Sequence, residues 1–457
     1  MKNTAVFLGM AALAGLGFFT FGNLKVHQTR AGRLDPAVAL VVEWNRHALT
    51  AERYNEKYRV PTAARMYAYV GLAAYQAALP AHSERATSLA ALFPGLELPE
   101  PAPAASYCLP VALNACYAEL FQHFFPDAIK QVELDRARLE KKWHDQFLDS
   151  CDPATLLRSR DYGRAVAMAF FKWSETDPYG HEVLNQGKDH CYIPPQGEGK
   201  WEPCPDFPMP ALLPYWGKAR TFTIRTEDFV ARPLPEYSTQ PNSIYYKEAL
   251  EVYTISSPLS HDNFWIAEFW SDDHPGITFT PAGRWISITN QVVEKAAPTL
   301  PKTLETYLKM GFALNDAAIA CWHSKYIYNL ERPETFIRKV FDPAWRSLHH
   351  TPPFPAYPSG HSMLSTAAAE VLTQLYGPDF ELTDMSHKGR HEFKSAPRRY
   401  RSFNEMATEN AFSRIPLGVH FRMDCEEGSR LGTLVGKEVN ELFKRLEKGA
   451  DYSLSKR

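Results

Sequence analysis

Three short segments in the C-terminal half of the chain hold residue types that together could grip a multiply charged anion. Lys325 and Arg332 stand seven positions apart, just ahead of Pro333. Seven residues are two helical turns, so a continuous helix would put both cations on one face, with Pro333 ending it. Pro358-Ser-Gly-His361 precedes an apolar stretch. Ser359 and Gly360 at a helix start offer a hydroxyl and unpaired backbone N–H groups, which favour anions. The third segment runs Ser413-Arg414-Ile-Pro-Leu-Gly-Val-His420-Phe-Arg-Met-Asp424. His420 and Asp424 are spaced i to i+4, so the carboxylate can orient the imidazole. Lys325, Arg332 and Arg414 are cations that suit a tetrahedral oxyanion of two to three negative charges. His361 and His420 add an acid/base and a nucleophile or ligand. Any one segment is ordinary; the three in this order point to one site.

The elements that must position these residues read as helices. Apolar residues recur at helical spacing over 38–58, 62–79, 107–125, 128–148 and 154–174. The second of these is Ala-rich and admits a close helix neighbour. Between about 186 and 245 the pattern breaks: Pro194, Pro195, Pro203, Pro205, Pro208, Pro210, Pro214, Pro233 and Pro235 crowd into it. Proline at that density excludes a continuous helix and predicts a long ordered crossover. Helical spacing returns over 243–256, 260–270, 284–296, 303–329, 361–376, 403–415 and 423–446, with a turn-rich stretch up to Pro358. Period-two alternation is nearly absent, so no sheet of any size is expected. The prediction is an all-α protein of two helical bundles. The N-terminal bundle covers 35–185, the crossover 186–245, and the C-terminal bundle with the anion site 246–450.

Composition narrows the classes. The 457 residues carry 50 Lys+Arg against 52 Asp+Glu, a formal charge of −2, which argues against nucleic acid as a partner held by bulk electrostatics. A mean hydropathy of −0.34 excludes a polytopic membrane protein. Lys2 precedes an apolar run from Ala5 to Gly22, so residues 1–25 read either as a cleaved export signal or as an N-terminal membrane anchor. Both readings place the folded part outside the cytoplasm, in the periplasm, at the cell surface or secreted. Seven cysteines forbid complete pairing within the chain; Cys191 and Cys204, flanking a Pro/Gly-rich loop, are the expected pair if one forms.

The order Lys–x6–Arg-Pro, Pro-Ser-Gly-His and Ser-Arg–x3–Gly–x–His–x3–Asp resembles the superfamily of vanadium-dependent haloperoxidases and type-2 phosphatidic-acid phosphatases. The wording of 352–361 and 413–420 is similar to the haloperoxidase side, and that of 321–325 and 329–335 to its bacterial branch. The resemblance implies a vanadate cofactor bonded through vanadium to His420. Lys325, Arg332, Arg414, Ser359 and the Gly360 N–H would serve its oxygens, and His361 would act as acid/base. It implies hydrogen peroxide and halide as substrates, Lys325 as the group polarising peroxide, and Asp424 as the residue fixing the His420 tautomer. Trp322 also matches and, with Phe354, would dry the halide pocket. The segment 266–273 is similar to a family stretch ending in an acidic residue near the anion, which points to Asp273 as a bridge between the site arginines. His323 departs from the bacterial pattern and would put an extra titratable ring near the pocket. The alternative within the superfamily is a phosphatase in which His420 forms a phosphohistidine and His361 protonates the leaving alkoxide.

Overall fold

The longest helix organises the rest of the chain around itself. In the structure, a computed structural model that describes residues 34–81, 89–181, 192–204, 206–392 and 394–447, this helix runs from Leu300 to Tyr328. Its middle is buried on every side, as a helix apolar all round must be. Before the crossover come α1 (Pro36–Arg53), α2 (Val60–Ala77), α3 (Leu109–Phe124), α4 (Lys130–Phe147) and α5 (Pro153–Glu175). After it come α6 (Ile244–Ser256), α7 (His261–Phe269), α8 (Pro281–Ala296), the long α9, α10 (Pro333–Val340), α11 (Gly360–Tyr376), α12 (Phe403–Leu417) and α13 (Arg422–Glu447). Local chemistry sets many of the starts. Asp35, Asp152, Ser243, Ser260, Thr280, Ser359 and Ser402 cap helix N-termini through their side chains, and proline occupies the first turn of α1, α2, α3, α5, α8, α9 and α10.

The fold is all-α in two helical regions joined by a proline-containing linker, as the periodicity predicts. The regions are not held apart. The chain from Asp35 onward forms one compact unit, because α2 of the first region lies directly on α9 of the second. A Cβ on Gly71 would stand 2.9 Å from the Tyr307 carbonyl oxygen, and one on Gly311 2.7 Å from the Ala68 Cα. Only glycine permits that approach. The crossover is ordered by α9 as well. Asp316, fully buried, accepts hydrogen bonds from the Phe222 and Thr223 N–H groups at 2.9 and 2.7 Å, and Ser324 accepts from the Ala231 N–H at 3.0 Å. These contacts satisfy backbone that prolines keep out of helix.

Three local expectations are corrected. The long helix does not run on to Arg332: Asn329 adopts a left-handed conformation (φ 50°) that ends it after Tyr328. Pro333 starts the next helix instead of stopping the previous one, and α10 itself falls inside a stretch read as turns. A two-stranded antiparallel hairpin, Leu382–Asp384 with Arg398–Tyr400, is the one sheet among the described residues.

The apolar N-terminal run and Cys191 lie outside the described residues. The described cysteines 108, 116, 151, 204, 321 and 425 are all free; the expected Cys191–Cys204 pair, through Cys191, falls outside the described residues. No helix of the described residues is long and apolar enough to cross a membrane.

Candidate anion site

The second and third segments line one cavity of about 720 Å³ through Gly360, His361, Arg414 and His420, and the first comes up behind it, with Arg332 against His420 and Lys325 against Phe354 of the wall. Each arrives by a different device. Lys325 sits in the last turn of α9, fully buried, and its Nζ donates to the carbonyl oxygens of Pro355 and Ala356, both at 2.8 Å. Arg332 is the N-cap residue of α10 and reaches the site from extended backbone, so the two cations meet without sharing a helix face. Its guanidinium donates to Phe354 O at 3.0 and 2.8 Å, to Val419 O at 2.8 Å and to His420 Nε2 at 3.2 Å. Arg414 comes from the last turn of α12 and donates to Ser413 Oγ at 2.9 Å, Trp270 O at 2.5 Å and His361 Nε2 at 3.3 Å. Ser359 caps α11, and Gly360 and His361 form its first turn. The first N–H groups of a helix have no intrahelical acceptor and aim at whatever occupies the site.

A guanidinium has only donors, so both imidazoles must present an unprotonated Nε2 to their arginines. The second nitrogen of His420 confirms its tautomer: Nδ1–H donates to Asp424 Oδ2 at 3.0 Å. His420 precedes α13, and Asp424 lies in that helix's first turn, where its Oδ2 also accepts from the Phe421 N–H at 3.0 Å. The pair is therefore a helix-start arrangement rather than two neighbours on one helix.

The electrostatics are unusual. Lys325, Arg332 and Arg414 are buried, yet none has a carboxylate within 4 Å among the described residues. Burial, followed by the neighbouring cations, holds His361 and His420 well below the usual imidazole range. Burial pushes Lys325 down and brings Arg332 and Arg414 down to about 10. Burial also raises Asp424. For the lysine, arginines and histidines these shifts disfavour charge until an anion arrives.

Trp322 and Phe354 pack at the cavity wall with ring centroids 4.9 Å apart, and the Phe354 ring lies 5.1 Å from Lys325 Nζ. Two expected neighbours differ from expectation: Asp273 lines the cavity without touching a site arginine, and His323 does not line it. Asp273 pairs with Arg59 at 3.0 Å and bridges no site arginine. Its left-handed backbone (φ 72°) turns the chain, so adjacent carboxylates diverge. Asp272 takes the inner position: its carboxylate lies 3.9 Å from His361 Nε2 and 3.5 Å from Arg284, and burial raises it to about 7. Two neighbouring aspartates look alike in sequence, and nothing there marks the turn between them. His323 is absent from the cavity lining; its Cα packs under Gly217 of the crossover, 2.6 Å from where a Cβ would be.

Spacing also gave no sign of the mouth of the cavity. His349 Nε2 and Glu268 Oε1 lie 2.6 Å apart, and the His274 ring packs against His349 with centroids 4.8 Å apart. Burial lowers His274 to about 4. These residues come from two loops and α7, with no motif spacing to connect them.

Residues 305–344 and 339–449 match the family described as the VCPO second helical-bundle domain. The structure is similar to that of the first bacterial vanadium-dependent iodoperoxidase, with 28% identity, a TM-score of 0.76 and coverage of 91% of this chain and 98% of that one. A holo-type bacterial vanadium-dependent chloroperoxidase shares the fold at 18% identity, TM-score 0.66, over 85% and 93% of the two chains. The vanadium chloroperoxidase of Curvularia inaequalis is 24% identical over 352 residues, 58% of this chain and 56% of that protein. The chain thus spans about half the length of the curated relative it matches. The chain carries, in its C-terminal part, a domain similar to the second helical bundle of this family, and its fold is similar to that of vanadium-dependent haloperoxidases.

Proposed function

We propose that this protein is a vanadate-dependent haloperoxidase that oxidises halide with hydrogen peroxide to hypohalous acid. The observation that carries the reading is three buried cations without carboxylate partners, gathered around two imidazoles that present lone pairs. Buried charge left unpaired is costly, and an oxyanion of two to three charges offsets it. The donor set fits vanadate: His420 Nε2 carries no proton and could exchange its contact with Arg332 for a ligand bond, Lys325, Arg332 and Arg414 supply cationic donors, and Ser359 and the Gly360 N–H stand at the α11 start. Bound vanadate would supply a Lewis-acid centre that polarises peroxide toward attack by halide.

The chain's own residues do the remaining work. Asp424 holds the proton on His420 Nδ1 and so keeps Nε2 available. His361, kept neutral by burial and by Arg414, accepts a proton from peroxide at Nε2 and returns one to the departing oxygen. Asp272, beside His361, steadies the imidazolium formed in between. Lys325 places an ammonium where negative charge develops. Trp322 and Phe354 exclude water and present ring edges and faces to a polarisable anion. The apolar N-terminal run supports an exported enzyme, released or tethered.

Vanadate-loaded protein should oxidise iodide or bromide with peroxide in a halide panel, with phosphate competing for the site. Robust phosphomonoester hydrolysis with no halide oxidation at any pH would sink this reading in favour of the phosphohistidine one.

A further inference from the structure

Away from the anion site, the starts of α3 and α5 bring two thiols together. Cys108 is the N-cap residue of α3 and is buried. Cys151, part-exposed, stands just before Asp152, the N-cap of α5. The Cys108 Sγ lies 3.2 Å from the Ser150 Oγ, and the neighbouring Cys151 thiol is within hydrogen-bonding reach of Cys108. The place is rigidly built. Ser159 of α5 accepts from the Cys108 N–H at 2.8 Å and donates to Thr155 O at 2.7 Å. One turn on, the helices are so close that a Cβ on Gly163 would stand 2.1 Å from the Ala112 carbonyl oxygen. Both thiols are thus held on two helices that cannot easily part.

We propose that Cys108 and Cys151 form a disulfide, closed by hydrogen peroxide, that ties the start of α5 to the start of α3 and encloses the α3–α4 hairpin. The Cys151 sulfur, as the part-exposed one, attacks a peroxide oxygen. The O–O bond breaks, water leaves, and Cys151 becomes a sulfenic acid. The Cys108 thiol then attacks that sulfur, the S–O bond breaks, and a second water leaves as the S–S bond forms. Peroxide is reduced by two electrons and the thiol pair is oxidised by two. Burial first, then the Cys108 thiol and last the Asp152 charge, raises Cys151 above the ordinary thiol range, so closure is slow near neutrality and faster as pH rises. The remaining described thiols compete poorly. Cys116, Cys321 and Cys425 are buried, and Cys204 has no cysteine beside it among the described residues. The proposal does not depend on halide oxidation, since added peroxide suffices.

The test is a non-reducing peptide map of the full chain after treatment with a slight excess of hydrogen peroxide, with free thiols blocked by N-ethylmaleimide. The expected result is a linked peptide joining residues 108 and 151 and a melting temperature a few degrees above that of the reduced protein. Cys151→Ser should fold, lack the linked peptide and lose the temperature shift. Cys108→Ser should do the same, and the exposed position of Cys151 keeps the test decisive if the buried substitution fails to fold. Full N-ethylmaleimide labelling of both cysteines after peroxide, or a linked peptide joining only Cys191 and Cys204, would overturn it.

Discussion

Two buried cation sites in this molecule obey opposite rules. In the N-terminal region Arg65, 1% exposed, donates to Asp177 at 3.2 Å and to the Ser174 carbonyl oxygen, and stacks over Tyr69 at 4.6 Å. Its charge is answered inside the chain, and the result is a strut joining α2 to the segment after α5. In the C-terminal region Lys325, Arg332 and Arg414 are equally buried but rest on carbonyl oxygens and imidazoles. Dipoles position these cations without neutralising them. Burial alone therefore does not set the two apart; the lack of a counter-ion is what singles out the proposed anion site.

The comparison breaks most clearly at His420. His420→Ala should remove halide oxidation altogether in an iodide assay of vanadate-loaded protein, whereas Arg65→Ala should leave turnover per folded molecule unchanged. Next in size, Arg65→Ala should lower unfolding free energy by about 3–5 kcal/mol in urea titrations, because the buried Asp177 loses its cation and keeps only the Gly180 and Arg220 N–H groups. If that substitution weakens vanadate binding instead, the two sites are not separate. Lys325→Ala should weaken vanadate binding by about 10- to 100-fold, as loss of a charge-assisted hydrogen bond does, while melting temperature changes little or rises. An unaltered dissociation constant would mean that the anion sits elsewhere.

Protonation sharpens the contrast further. Burial lowers Lys325, and an anion favours its charged form, so phosphate binding should take up protons and weaken as pH rises through the depressed lysine value. Calorimetry in two buffers of different ionisation enthalpy measures that uptake; none would be seen if Lys325 were already charged. A separate effect concerns Glu52, which burial raises to about 8 while it accepts from Thr280 and Tyr67. The unfolded chain loses this proton near pH 4.5 and the folded chain near 8, so the folded state loses stability as pH rises between them. Glu52→Gln should flatten that slope in denaturation curves measured at pH 5, 7 and 9.

Much of the fold is legible in the chain because its signals are local. Helical spacing finds α1 to α9 and α11 to α13 within a few residues, since each buries one face and many carry a proline or capping residue at the start. The missing α10 is only eight residues long and hides behind Pro333. The site residues announce themselves by type: buried-cation chemistry needs Lys and Arg, and a ligating imidazole needs an orienting carboxylate. The reason Arg332 and Lys325 meet is not local. It depends on Asn329 reversing the chain and on Phe354 and Val419 offering carbonyls from distant loops.

By itself the sequence determined an all-helical chain, a crossover too rich in proline to be helix, and the inventory of cations and imidazoles that the proposed oxyanion site draws on. Those properties follow from side-chain chemistry and backbone preferences over a few residues. Tertiary structure alone decided that Asp272 rather than Asp273 faces His361, that His323 turns to the crossover, and that three cations are buried without a counter-charge. These depend on a left-handed turn and on helices packed at glycine contacts, and what lies across such a contact is set by chain hundreds of residues away.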